Sequence, residues 1–313
     1  MRIRATVAAV TGALALSAFA VPAAQADDSA ARETVAEIAA KRDYAPKADA
    51  APNKSARAAA PSLDVTYSKV VVNGGKPIAV GTTNHVSVKT SWTVTHDAGL
   101  DLVSYDSRYI NDLILYRGSS FDYAQNVLFG DEAPTCTSVS ATVTNCKGTI
   151  DIKPKYDEDS EGFWTDFVGN EDAATWKSAG IVVDLEEFTG EDDQGFAYKD
   201  SLPGTKLQRF SKQTVNASPE PVTKGRTITV TGKLSRANWD TFKYAGYTNQ
   251  PVKLEFRKKG STAYSYVKTV KTNSTGNLTT TVKASTDGYW RWNFAGTSTT
   301  PAVKAAGDYV DVR

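Results

Sequence analysis

Histidine and cysteine are scarce in this sequence, with two of each among 313 residues, and the scarcity removes whole classes of chemistry. His85 and His96 lie eleven residues apart. On one strand that odd separation puts them on opposite faces and far from each other, so each reads as a surface or turn residue rather than a catalyst. There is no HExxH, no GxSxG nucleophile elbow and no glycine-rich phosphate loop ending in Lys-Ser or Lys-Thr. No local context favours a Ser-His-Asp triad. After the N-terminal segment no run is long and apolar enough to cross a bilayer, and no lipidation cysteine follows that segment. Carboxylates are plentiful, but a glycosidase-like pair obeys no spacing rule. A secreted carboxylate-dependent hydrolase is therefore the weakest of three functional readings, and the chain reads as not an enzyme.

Residues 1–26 have the order of a signal peptide: Arg2 and Arg4, an uncharged stretch from Ala5 to Ala20, then Ala24-Gln25-Ala26 as a cleavage site. The expected product is a secreted, extracellular protein starting at Asp27. In that setting Cys136 and Cys146 are expected to form one disulfide, whose short loop stabilises by about 3 kcal/mol. A redox CxxC or a cysteine metal pair does not fit their spacing. The hydrophobic share of 41% and the 6 Trp and 14 Tyr are those of a globular chain. The overall net charge of +1 hides an asymmetry. Residues 60–205 hold 10 Lys+Arg against 23 Asp+Glu, and residues 206–313 hold 18 against 6.

Three regions follow the signal. Residues 27–61 are rich in Ala and Pro and read as a leader or linker, with a short helix at 30–42 as the one ordered alternative. Residues 62–205 read as an acidic β-sandwich whose disulfide staples a hairpin. Residues 206–313 read as a basic immunoglobulin-like β-sandwich with seven strand candidates: 207–216, 226–234, 251–257, 264–271, 277–284, 289–295 and 308–312. Val252, Leu254 and Phe256 alternate with Lys253, Glu255 and Arg257, and Trp290, Trp292 and Phe294 share a face opposite Arg291 and Asn293. A half-buried antiparallel sheet requires that pattern. The fold class expected is all-β, with two antiparallel Ig-like sandwiches in tandem.

The stretches Val70–Ile78, Thr214–Val222, Thr227–Leu234 and Asp287–Arg291 carry a resemblance. The chain resembles secreted, largely uncharacterised proteins of actinomycetes that pair a β-rich N-terminal domain with a bacterial Ig-like C-terminal domain. The resemblance spans most of the mature chain. It implies secretion and this fold, and it brings no catalytic residue with it.

Two features point to binding. The connection from 236 to 247 is long for a β-protein and mixes Arg236, Trp239, Lys243, Tyr244 and Tyr247, residues suited to stacking on sugars or pairing with an anionic polymer. The opposing reading folds Trp239 and Phe242 down over the end of the sandwich. The acidic stretches around Asp157, Asp159 and Glu161, and around Glu191, Asp192 and Asp193, offer the clustered oxygens calcium prefers. The first departs from the calcium loop at its twelfth position, Val168. The leading expectation is thus a non-catalytic binding or adhesive protein whose partner is an extracellular polymer, glycan or protein. Calcium binding is the alternative, and no other cofactor is implied. Nucleic acid is not an expected partner, since no recognition motif occurs. The opposite charges of the two halves predict electrostatic docking between domains, or head-to-tail contact between chains.

Overall fold

Runs of β-branched and aromatic residues closed by Gly, Asn and Pro form strands throughout the molecule. The computed structural model describes residues 30–41, 63–104, 107–154, 167–188 and 195–313. The signal segment lies outside them. No helix among the described residues is long and apolar enough to cross a membrane.

The N-terminal unit contains β1 (Thr66–Val72), β2 (Ile78–Val80), β3 (Val86–Thr95), β4 (Tyr109–Gly118), β5 (Ala124–Leu128), β6 (Thr135–Ser140), β7 (Val143–Ile152), β8 (Thr175–Asp184) and β9 (Phe196–Arg209). They form two sheets, ordered β1-β3-β7-β6 and β2-β9-β8-β4-β5. Trp92, Ile150 and Ile152 of one sheet meet Leu113, Leu115 and Trp176 of the other in the core between them. Cys136 and Cys146 lie opposite each other on β6 and β7 and are disulfide-bonded. One pair departs from the all-antiparallel expectation, because β2 runs parallel to β9.

Strand β4 is buried on both faces. Leu113 and Leu115 point into the sandwich, while Ile110, Ile114 and Tyr116 point away from it. What covers them is α1 (Ala30–Lys41), whose Ala31, Val35 and Ile38 fall on one side at i, i+4 and i+7. This part of the Ala-rich stretch is a third layer of the fold and not a spacer. An exposed sheet face carrying Ile110, Ile114 and Ile181 would otherwise need another cover.

The C-terminal unit contains β10 (Ser211–Gln213), β11 (Asn216–Ser218), β12 (Thr227–Asn238), β13 (Lys243–Gly246), β14 (Pro251–Lys258), β15 (Ser265–Lys271), β16 (Asn277–Lys283), β17 (Gly288–Phe294), β18 (Val303–Lys304) and β19 (Asp308–Val310). One sheet centres on β12, flanked by β10, β11, β13 and β16; the other runs β15-β14-β17-β18, with β19 also on β17. Val252, Leu254, Trp290, Trp292 and Phe294 face Ile228 and Val230 across the core, as their alternation requires. Trp292 donates from Nε1 to the Thr231 carbonyl at 2.9 Å. Gly232 permits that approach, for a Cβ there would lie 2.5 Å from the indole. Together the two units are an all-β chain of Ig-like sandwiches.

The candidate strand 207–216 is divided in the structure. Leu207, Gln208 and Arg209 complete β9 beside β2, and the chain crosses to the second unit only at Ser211, which pairs with β12. The reason is burial: Leu207 belongs to the N-terminal core.

Candidate functional site

The segment 236–247, expected as a long loop, is a β-hairpin. Asn238 pairs with Lys243, Ala237 with Tyr244 and Arg236 with Ala245, so only residues 239–242 form the turn. Its tryptophan is not presented to a ligand. Trp239 is 1% exposed and sits in the core of the N-terminal sandwich, where its Nε1 donates to the Gly81 carbonyl at 2.8 Å. Asn170 grips the same turn from the other unit. Its backbone N–H donates to Asp240 Oδ1 at 2.9 Å, its side-chain Nδ2 donates to Asn238 Oδ1 at 2.9 Å and to the Asp240 carboxylate, and its side-chain Oδ1 accepts from the Trp239 backbone N–H at 3.0 Å.

The other candidate residues of this hairpin are also engaged. The Arg236 guanidinium lies 4.0 Å over the Tyr247 ring, and Tyr247 meets Phe294 edge-on. Tyr244 packs on the N-terminal core under Lys212, which stands 3.6 Å over its ring. Lys243 is exposed. Beneath them Arg209 is buried and donates from Nε to the Ala237 carbonyl at 2.6 Å. Burial, and then the nearby Arg236 charge, push its pKa down to about 10. Gln208 adds bonds to the Thr297 and Ser298 carbonyls. The hairpin is thus the joint between the two units, built among the described residues from an indole, amides, carbonyls, the Asp240 carboxylate and the Arg209 guanidinium.

The acidic residues proposed for calcium, Asp157, Asp159, Glu161, Glu191, Asp192 and Asp193, lie outside the described residues. Among the described residues one group could offer three ligand atoms to a cation: His85, Asp131 and Asp151, with one atom from each within 4.8 Å of the others. The three residues also belong to a wider polar network. His85 Nε2 is 3.0 Å from Asp151 Oδ1, Asp151 Oδ2 accepts from the Asp131 N–H and from Thr149, and Lys153 stands 3.6 Å from Asp131. His85 is exposed as expected, whereas His96 is buried, its ring nitrogens 2.8 Å from the Asp97 carbonyl and 2.9 Å from Thr144 Oγ1.

A cavity of about 410 Å³ opens beside the joint, lined by Asn126, Phe167, Asp172, Trp239 and Phe242 among others. Its buried carboxylate, Asp172, accepts from Arg117 at 2.6 Å, from Asn126 at 2.9 Å and from the Gly169 N–H at 2.8 Å. Three donors from the N-terminal unit thus fix this carboxylate in the wall of the cavity.

The outer face of the β14-β15-β17 sheet is built differently. Lys253, Glu255 and Arg257 alternate outward and lie opposite Asn293, Arg291 and Tyr289. Tyr266 lies opposite Glu255 on the other side, Tyr309 opposite Tyr289, and Lys304 opposite Asn293. Cations and rings interleave across this face. Arg291 stands 3.6 Å over Tyr264, Arg257 lies 5.3 Å from Tyr264 and 4.0 Å over Tyr289, Tyr289 and Tyr309 are 5.2 Å apart, and Lys259 is 5.4 Å from Tyr309. Each such contact contributes about 0.5–1 kcal/mol at an exposed site, and the series fixes the rotamers of long side chains that would otherwise be mobile.

Glu255 anchors one end of the series, accepting from Arg291 Nε and from Asn293 Nδ2, both at 2.7 Å. Burial alone raises its pKa, but these two hydrogen bonds and the charges of Arg291 and Lys304 outweigh that and hold the carboxyl below its ordinary range. At the other end the Val312 N–H holds the Asp287 carboxyl low; burial opposes it, and bonds from Lys259 and Tyr309 add to the lowering. The outward alternation of β14 and β17 is visible in the sequence. Their pairing, and the arrival of Tyr264 and Tyr309 from other segments, is not.

No protein-family model matches the chain, and no curated protein matches it. Among solved structures it is similar to the D00-D0 domain of intimin, at 14% identity and a TM-score of 0.24, covering 79% of this chain and 99% of that one. It is similar to three Ig domains of titin, I67–I69, at 9% identity and a TM-score of 0.30, covering 80% of this chain and 65% of the other. It is also similar to the Yersinia pseudotuberculosis adhesin InvE, at 11% identity and a TM-score of 0.23, over 79% of this chain and 58% of that one. These are likenesses of fold class alone.

Proposed function

We propose that this chain is a secreted, non-catalytic binding or adhesive protein of the extracellular space. The observation that carries the reading is the outer face of the C-terminal sheet. It is open, it is fixed by stacked rings and guanidinium groups, and it contributes nothing to the core on its other side. Side chains ordered on a surface at an entropic cost, with Tyr266 left 61% exposed, are what a recognition surface requires. The disulfide and the expected signal segment support an extracellular setting. The joint supports a display role, since a buried Trp239 and the four-point grip of Asn170 hold the two sandwiches in one orientation.

The test is to incubate residues 27–313 with bacterial cell envelopes and with a panel of extracellular polysaccharides, following both retention of protein and release of soluble products. The expected result is saturable retention with no turnover. Product release that scales with protein concentration would replace this reading with an enzymatic one, and no retention on any surface would reject it.

A further inference from the structure

We infer that the outer face of the β14-β15-β17 sheet binds a linear anionic glycan, a polymer whose sugar rings carry carboxylate or sulfate groups. The inference rests on the adhesive reading and assigns it a site and a ligand chemistry. Charge comes first. The face presents five cations, Lys253, Arg257, Lys259, Arg291 and Lys304, against the carboxylates of Glu255 and Asp287. Glu255 is taken up by Arg291 and Asn293, and Asp287 by Lys259, Tyr309 and the Val312 N–H.

That leaves Lys253, Arg257 and Lys304 with no carboxylate at ion-pair distance among the described residues. Arg257 donates to a neutral carbonyl, that of Ser261, at 2.6 Å. Lys253 and Lys304 flank Asn293 on successive strands, so they stand roughly 10 Å apart across the sheet, and Arg257 is about 13 Å further along β14 from Lys253. Three spaced positive charges on a flat surface fit a polymer bearing anions at intervals and not a single small anion.

The rings decide which polymer. Arg291 and Arg257 already stand over Tyr264 and Tyr289, and Tyr266 on the neighbouring strand is the ring left open. Tyrosine gives a broad apolar face at low entropic cost, and such a face stacks on the C–H side of a sugar while the adjacent guanidinium or ammonium meets its anionic substituent. A polyphosphate chain would use the cations and leave the rings idle. Arg257 and the stacked rings, held in place before any ligand arrives, lose little freedom on binding.

The experiment uses residues 27–313 on four immobilised polymers: heparin as the sulfated glycan, polygalacturonate as the carboxylated one, inorganic polyphosphate and neutral dextran. Wild-type protein is expected to bind heparin, polygalacturonate or both, to ignore dextran, and to bind less as salt rises. The pair Lys253→Glu with Lys304→Glu should weaken glycan binding about tenfold, two exposed attractions having become repulsions. The pair Lys233→Glu with Lys283→Glu changes net charge equally on the opposite sheet and should change binding less than about threefold. Tyr266→Ala should weaken binding to the glycan and leave any binding to polyphosphate unchanged.

Equal losses in the two charge-reversed pairs would overturn the site, and binding to polyphosphate alone would overturn the ligand class. Retention on envelopes with no binding to either anionic glycan would also overturn the inference, while leaving the adhesive reading intact.

Discussion

Trp239 is the residue on which most of the joint depends. Its indole is buried among the side chains of the other unit and its N–H is satisfied there, so truncation leaves both a cavity and an unpaired Gly81 carbonyl. Trp239→Ala is expected to destabilise the chain by about 3–5 kcal/mol and to split one calorimetric unfolding transition into two, as the sandwiches lose their common core. A single transition shifted by less than about 1 kcal/mol would mean the joint is ornamental to folding. Gly232 is a smaller case with a clear cause. A methyl group there would meet the Trp292 ring at 2.5 Å and the Thr214 carbonyl at 2.4 Å, so Gly232→Ala should cost about 1–3 kcal/mol in a denaturant titration. The sequence showed that residue 239 is a large aromatic between strands. It could not show where the side chain goes, because the wall that receives it comes from residues near 80 and 170, and no local pattern encodes a contact of that range.

At the scale of elements, strand alternation was the most legible feature. The faces of β14 and β17 follow directly from their period of two, and the cysteine pair marked the β6–β7 hairpin. The hairpin of β12 and β13 was not legible, because Lys-Tyr-Ala-Gly is too short to alternate and its pairing comes from register with β12. Nor was the role of α1, since an Ala-rich dozen residues reads alike in a spacer and in a helix whose apolar stripe meets a waiting sheet. Ile38→Ala should cost about 2–4 kcal/mol if that docking holds, against a few tenths in a free helix, and chemical denaturation separates the two. The outer face makes a pH prediction. Because Glu255 is held below its unfolded pKa, its stabilisation is complete above that unfolded value, near pH 4.3, and is lost as pH falls through the lower folded value. Thermal midpoints of wild type and Glu255→Gln should therefore differ most above about pH 5 and converge in more acidic buffer. A difference constant from pH 3 to 7 would show that the carboxylate charge is not what holds Arg291.

For the whole molecule, the sequence carries a strong charge asymmetry, and the natural expectation was that an acidic half and a basic half attract. Among the described residues the contacts between the two units use other physics: a buried indole, the amides of Asn170 and Gln208, and the backbone bond from the Ala237 N–H to the Phe210 carbonyl. Hydrogen bonds between neutral groups and apolar burial are nearly indifferent to salt, whereas attraction between exposed charges fades once the Debye length falls to a few ångströms. Small-angle scattering of residues 27–313 should therefore give the same radius of gyration from about 0.05 to 0.5 M NaCl, and the Trp239→Ala chain should expand at every salt concentration. Expansion of the wild type with salt would restore the electrostatic joint. Among the described residues no ion pair joins the basic unit to the acidic one, so the basic charge of the C-terminal unit is not consumed between them. It remains on the surface, concentrated where Lys253, Arg257 and Lys304 stand beside ordered rings, and there its effect falls on whatever the chain meets.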